Sequence, residues 1–151
     1  MRTLAVTLVV ALAVPASAAD TNEDKARAAA VVFLKALKAK DLDAALKVCT
    51  APFLYRDGDK PAVLQDETAL KSWLKGRFDE VKNVDKVPTA VDTLTPFADL
   101  REKIKDEANR KTVEDVLGKD GFVAFITADG KMIPVLVRVK DGKALVVGLA
   151  R

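Results

Sequence analysis

The sequence has 151 residues, of which 31% are charged, with 25 Lys and Arg against 22 Asp and Glu. Basic and acidic residues alternate, and only six Phe, one Trp and one Tyr are present, so the chain lacks the basic surface and stacking platform typical of nucleic-acid binding. It contains no histidine, which excludes His-activated nucleophiles, His proton shuttles and the common zinc sites. We expect no nucleic acid, no metal and no cofactor.

Residues 1–19 have the order of an export signal. Arg2 gives a basic start, residues 4–14 form an apolar run, and Pro15 precedes the small residues of a signal-peptidase site. The run is too short to cross a bilayer as a helix, and no Cys stands at the cleavage site to carry a lipid. The sequence therefore predicts export to the periplasm or out of the cell. Residues 20–151 would remain as one domain without membrane association.

Three helices are predicted in the first half of this domain. The first begins at a capping box of Thr21 and Asp24, and the second runs through Cys49. Cys49 lies on the apolar stripe of the second helix, which predicts a buried thiol rather than a reactive or cross-linked one. Asp66 caps the third helix, whose apolar side carries Leu70, Trp73, Leu74, Phe78 and Val81.

The remaining elements before residue 118 are predicted from turn signals, β-branched alternation and helical spacing. They are a hairpin with strands at 53–56 and 62–64 around Asp57-Gly58, an edge strand at 84–94 containing Pro88, and a helix at 97–117 that ends at Gly118.

The last part of the chain predicts a meander of three antiparallel strands joined by Asp129-Gly130 and Asp141-Gly142. Two-residue turns fix which residues pair across the strands. The expected pairs are Ile126 with Ile133, Ala124 with Val135, Phe122 with Val137, Val139 with Ala144, Val137 with Val146, and Val135 with Gly148.

With this register both faces of the meander are apolar, and the second face carries one charge, Arg138. An antiparallel sheet with a solvated face alternates apolar with polar residues, so we expect both faces to be covered. The upstream helices cover one face. The other needs a second layer, an internal cavity or a partner chain.

Three stretches carry a family resemblance: "FLKALKAKDLDAALKVCTAPF", "ALKSWLKGRF" and "VLVRVKDGKALVVGLAR". With the element order, they resemble the nuclear transport factor 2-like superfamily, which includes ketosteroid isomerases and polyketide-cyclase-like proteins. The resemblance implies an α+β fold in which N-terminal helices pack on a curved antiparallel sheet, a cone-shaped, cystatin-like arrangement around a cavity. It also implies frequent dimerisation through the outer sheet face. The helix predicted at 97–117 departs from the family's usual pattern.

Tyr55, Trp73 and Arg138 are the candidate ligand-binding residues. Tyr55 and Trp73 combine an apolar ring with a polar group, which suits the lining of a pocket, although such rings also occur in ordinary cores and strands. Arg138 lies on an apolar sheet face, so its charge needs a partner. That partner is a carboxylate of the third helix, Asp79 or Glu80, an anionic ligand, or water.

No catalytic residue is assigned. An isomerase-like site would need Tyr55 as an oxyanion donor and Asp57 or Asp92 as a base, but none of these aligns with the isomerase motif. The sequence therefore favours an exported, non-catalytic module that binds a small apolar or weakly anionic molecule, or another protein. The alternatives are an isomerase- or cyclase-like enzyme and a homodimer formed through the outer sheet face.

The export signal is tested by the mass of the protein recovered outside the cytoplasm. We expect a mature chain that begins at Asp20. Leu8→Arg places a charge in the apolar run and should leave full-length protein inside the cell, whereas Thr7→Ser, one position away, should be processed normally. Export of uncleaved Leu8→Arg protein would contradict the assignment.

Overall fold

The computed structural model of the chain describes residues 21–58 and 60–150. The predicted export signal lies outside the described residues. The described residues form five helices, six strands and two short 3-10 turns. In chain order the elements are α1 (Asn22–Ala39), α2 (Leu42–Val48), β1 (Cys49–Asp57), β2 (Lys60–Leu64), α3 (Glu67–Glu80), a 3-10 turn (Val84–Lys86), β3 (Thr93–Pro96), α4 (Phe97–Leu100), a 3-10 turn (Arg101–Lys103), α5 (Glu107–Leu117), β4 (Phe122–Ala128), β5 (Lys131–Lys140) and β6 (Lys143–Leu149).

The predicted capping box at the start of α1 is confirmed. The Asp24 backbone N–H donates to the Thr21 hydroxyl oxygen, and the Thr21 backbone N–H donates to the Asp24 carboxylate, both at 3.1 Å. These bonds satisfy two backbone donors that a helix start would otherwise leave unpaired. Asp66 caps α3 in the predicted manner, since its carboxylate accepts from the Ala69 N–H at 2.9 Å.

The strands form one sheet in the order β2-β1-β6-β5-β4-β3. All neighbouring pairs are antiparallel except β1 and β6, which are parallel. The predicted fold class, α+β with helices on a sheet that ends in a meander, is confirmed, with the refinement that the sheet is mixed. Most of the chain separates β1 from β6, so no tight turn forces these two strands to run in opposite directions.

The β4–β5 pairing is the one predicted. Ile126 pairs with Ile133, Ala124 with Val135, and Phe122 with Val137. Both residues of each Asp-Gly turn have positive φ, at 51° and 73° in the first turn and 51° and 74° in the second. This is the backbone that matches the right-handed twist of the strands, so the turns set the register.

The β5–β6 pairing departs from prediction at its end. The expected pair of Val135 with Gly148 is wrong: Gly148 pairs with Leu136, and Leu149 pairs with Val135. The shift follows the pair of Val137 with Val146, so Val147 is an extra residue and β6 has a bulge there. Because side chains alternate between faces, the bulge moves Leu149 to the face on which α1 packs.

Both faces of the sheet are covered, as expected. The face that packs on α1 and α3, called the inner face, contributes Phe53, Ala124, Ile126, Val135, Val137 and Val146 to the larger core. The opposite, outer face packs on α4 and α5, and its smaller core contains Leu54, Phe97, Val116, Leu117, Val123, Leu136 and Val147. The second layer therefore comes from the same chain. A partner chain is therefore not needed to cover the outer face of the meander, and the homodimer stays a prediction.

The second helix ends at Val48 rather than running through Cys49, which begins β1. Two further predicted elements differ more strongly from the structure. The strand predicted at 84–94 is wrong over most of its length: Val84–Lys86 is a 3-10 turn, and only Thr93–Pro96 pairs with β4. The helix predicted at 97–117 is interrupted after Lys103. It restarts because the Asp106 carboxylate accepts from the Asn109 N–H at 2.7 Å, which makes Asp106 a new N-cap.

Within the described residues, no helix is both long and apolar enough to cross a membrane.

Two glycine substitutions, one beside the bulge and one in α3, are expected to have opposite effects on stability. A Cβ at Gly148 would lie 2.5 Å from the Leu136 Cδ1 atom and 2.8 Å from the Leu54 carbonyl oxygen, so Gly148→Ala should lower the free energy of unfolding by about 1–3 kcal/mol. A Cβ at Gly76, inside α3, would meet nothing within 4 Å, so Gly76→Ala should raise it by about 1 kcal/mol. Urea unfolding measures both, and a neutral Gly148→Ala would contradict the bulged register.

Candidate functional site

A cavity of about 330 Å³ lies between the last turns of α1, the segment after α3 and the β4–β5 hairpin. We call it the mouth cavity, and we call residues 81–92 the connector. Its apolar wall residues are buried or half-buried and its polar rim residues are exposed. The wall contains Leu34, Leu37, Val81, Val87, Pro88, Ile126, Ala128, Ile133 and Leu149, and the rim contains Glu80, Lys82, Asn83, Lys86 and Asp129.

The wall follows from the periodicity of the elements around it. The inner stripe of α1 continues through Leu34 to Leu37, so these two side chains face the sheet. Ile126 and Ile133 are cross-strand partners on the inner face. Leu149 completes the wall because the bulge in β6 turns it inward. The floor of the cavity is therefore built on regular, packed elements.

The connector crosses the end of the sheet without regular strand pairing. The Asn83 side-chain oxygen accepts from the Asp85 N–H at 3.2 Å and starts the 3-10 turn. Further along, the Arg27 guanidinium of α1 donates to the Val91 carbonyl at 3.2 Å. The turn at Asn83 shapes the connector, and the Arg27 contact ties it to α1. Val87 lies between these two contacts in the sequence and lines the cavity.

One ion pair joins the connector to the β4–β5 hairpin. The Lys86 Nζ atom lies 3.1 Å from the Asp129 Oδ1 atom. The two side chains are 62% and 60% exposed, and exposed pairs contribute only about 0–1 kcal/mol. The pair therefore marks the edge of the cavity rather than holding it together.

Trp73 belongs to an aromatic cluster next to this cavity. Its ring centroid lies 5.3 Å from that of Phe53 and 5.5 Å from that of Tyr55, in tilted arrangements. The Arg77 guanidinium lies 5.1 Å from the centre of the indole, within cation–π range, and also pairs with Glu80 at 2.7 Å. The cluster fixes the position of the Arg77 side chain.

A smaller groove of about 70 Å³ adjoins the mouth cavity on the side of Trp73. Arg56, Trp73 and Arg77 line this groove, and the two spaces share Leu37, Glu80, Val81 and Leu149. Of the three sequence candidates, Trp73 thus lies beside the cavity.

Tyr55 and the aspartates proposed with it do not line the mouth cavity. The Tyr55 ring packs on Trp73, Asp57 ends β1, and the Asp92 backbone N–H donates to the Phe125 carbonyl just before β3. Both carboxylates are on exposed residues. The structure therefore gives no support to a Tyr-Asp catalytic pair in this cavity.

Arg138 has a different partner from those expected. Its guanidinium donates to the Val116 carbonyl at 3.3 Å, near the C-terminal end of α5. A cation is favoured there because the helix dipole leaves partial negative charge on the last carbonyls. Arg138 therefore links the outer layer to β5, and it does not line the mouth cavity.

Sequence reasoning missed most of the cavity residues. The expected pairing of Val135 with Gly148 would put the next residue, Leu149, on the outer face, and the β-bulge that turns it inward leaves no clear sequence signal. Val81 was assigned to helix core and Val87 to a strand. The turn former Asn83 and the Val87-Pro88 step are the signals that favour a loop here.

The described residues contain no group of His, Cys, Asp and Glu that could hold a metal ion. Cys49 is 4% exposed, as predicted for a core thiol. Burial, with a smaller contribution from the Glu67 carboxylate, raises the pKa of the Cys49 thiol well above its ordinary value. Cys49 is therefore not a candidate nucleophile.

Comparison with solved structures found similar folds. One is a crystal structure from Xanthomonas campestris described as a calcium/calmodulin dependent protein kinase II association domain, with 13% identity, 89% of each chain covered and a TM-score of 0.45. Another is the designed NTF2 protein Rd1NTF2_05 carrying five substitutions, with 15% identity, 86% of this chain and 98% of that chain covered, and a TM-score of 0.39. No family model and no curated protein matches the sequence. Both likenesses are remote, and function is argued from the site alone.

The burial of Cys49 predicts a thiol that is protected while the protein is folded. At neutral pH we expect iodoacetamide to label the native protein at least tenfold more slowly than the urea-unfolded protein, because the raised pKa suppresses the thiolate and packing blocks access. Mass spectrometry measures the rate. Equal labelling of both states would contradict the buried placement.

Proposed function

We propose that the chain is an exported, non-catalytic module that binds a small apolar or weakly anionic molecule in the mouth cavity. The observation that carries this proposal is an apolar cavity of about 330 Å³ with a polar rim. Ligand sites in proteins have this composition and occupy about 300–1,000 Å³. The cavity lies at the small end of that range.

The packing of the rest of the chain supports a binding role for this space. Phe33, Leu34 and Val135 are fully buried, and the inner core is continuous up to the cavity. Protein interiors are close-packed, and voids much larger than a water molecule are few. The mouth cavity is open on one side, so a bound apolar molecule would remove its apolar wall from water, which is favourable.

The groups at the rim favour binding over catalysis. The two rim carboxylates, Glu80 and Asp129, are exposed, and each is paired with a cation, Arg77 and Lys86. Both lie at the solvent-exposed rim, outside the apolar interior of the cavity where a bound molecule would sit. Tyr55, the one phenol of the sequence, packs on Trp73 outside the cavity lining.

Native mass spectrometry of protein purified from its own host tests the ligand and the chain count together. A retained small molecule supports the binding role, and a dimer in the same spectrum supports the predicted homodimer. Protein that carries no molecule and binds no apolar probe would contradict the binding role.

A pair of neighbouring substitutions tests the position of the site. Ile133 lines the mouth cavity, whereas Met132, the preceding residue of β5, is 69% exposed and does not line it. We expect Ile133→Trp to fill the cavity and weaken binding of the neutral fluorescent probe N-phenyl-1-naphthylamine at least tenfold, with Met132→Trp close to the unsubstituted protein. Probe titration measures the affinity, and circular dichroism checks that both variants are folded.

Equal loss of probe binding in both folded variants would place the probe elsewhere. Unchanged binding in Ile133→Trp would contradict the mouth cavity as the site.

A further inference from the structure

The charges around the mouth cavity are unevenly distributed. Two lysines of the connector, Lys82 and Lys86, lie at the rim, and Arg56 and Arg77 line the adjoining groove. The acidic residues that line these two spaces are Glu80 and Asp129. Four basic groups therefore face two acidic ones, in a chain whose overall charge is close to balanced.

Of the two lysines at the rim of the mouth cavity, the ion pairs among the described residues include Lys86 and leave out Lys82. Arg77 pairs with Glu80 at 2.7 Å, and Lys86 pairs with Asp129 at 3.1 Å. Each rim carboxylate thus already has a cation within ion-pair distance. Lys82 is exposed and makes no hydrogen bond or ion pair within residues 21–58 and 60–150. It stands as a cation at the edge of an apolar wall.

We propose that the ligand is a single-chain anionic amphiphile, with its carboxylate at Lys82 and its hydrocarbon tail in the mouth cavity. This inference rests on the proposed binding function and adds the chemical class of the ligand. A neutral apolar molecule would use only the wall, whereas an anionic head group also complements the basic excess at the rim. A cavity of about 330 Å³ admits one short chain rather than the two chains of a membrane lipid.

The position of Lys82 suits this role. It follows Val81, which lines both the cavity and the adjoining groove, so the cation is next to the wall in the sequence. A lysine stem can lie along apolar surface while its ammonium stays in water, where it meets the head group of a bound chain. The charged head thus remains solvated and only the tail is buried, which avoids the cost of burying a carboxylate.

The experiment compares two probes that share a chain and differ in charge, octanoate and 1-octanol, by isothermal titration calorimetry. We expect octanoate to bind about three- to tenfold more tightly than 1-octanol, the gain expected of a partly exposed charge interaction. Raising the salt concentration from about 50 mM to about 500 mM should reduce this preference, because exposed charges are screened.

Matched lysine variants assign the preference to one side chain. Lys82→Gln should lower octanoate affinity to the level of 1-octanol and leave 1-octanol binding unchanged. Lys75→Gln, on the exposed surface of α3 and outside the cavity lining, should leave both affinities unchanged. Circular dichroism confirms that the variants are folded.

The outcomes separate this inference from the proposed function. Equal affinity for octanoate and 1-octanol overturns the anionic ligand and leaves a neutral-ligand site standing. If neither octanoate nor 1-octanol binds, both the anionic ligand and the proposed binding function are overturned. An octanoate preference that Lys82→Gln does not reduce, or that Lys75→Gln reduces equally, overturns the role of Lys82.

Discussion

The register of the terminal meander is the constraint on which the rest of the structure depends. Each Asp-Gly turn holds two residues at positive φ and leaves one pairing for the strands on either side. Alternation then presents apolar side chains on both faces, and a sheet with two apolar faces must be covered twice. The helices α1 and α3 cover the inner face, and α4 with α5 cover the outer one. The result is a three-layer arrangement with two separate cores.

Elements with strong local chemistry could be predicted from the sequence. The capping box at Thr21, the cap at Asp66 and the Asp-Gly turns each depend on residues only a few positions apart in the sequence. A short sequence motif is therefore enough to predict the local structure. The segment 84–94 was wrongly predicted as a strand because β-branched residues alternate along it. Such alternation indicates that the side chains suit a half-buried surface, and it does not require pairing with another strand. The residues of this segment line the mouth cavity and bind α1 instead of forming a long strand.

The site was less predictable than the fold. It depends on the bulge at Val147, which sets the face of Leu149, and on the path of a connector with little regular structure. The spacing of apolar residues in the sequence predicts neither the bulge nor the path of the connector. Of the residues chosen for their chemistry, Trp73 lies beside the cavity, Tyr55 packs behind it, and Arg138 serves the outer layer. These residues were candidates because their polar groups need partners. For two of them the chain itself supplies a partner: Tyr55 packs on Trp73, and Arg138 donates to the Val116 carbonyl.

The connector contributes only half-buried or exposed side chains, and its ends are fixed by α3 and by β3. A surface segment of this kind tolerates insertion, deletion and exchange far better than the layers it joins. Exchange of the connector would therefore replace six of the fourteen residues that line the mouth cavity and leave the buried residues of both cores unchanged. In such an architecture, one side of the cavity can vary in sequence independently of the packed layers that form its floor.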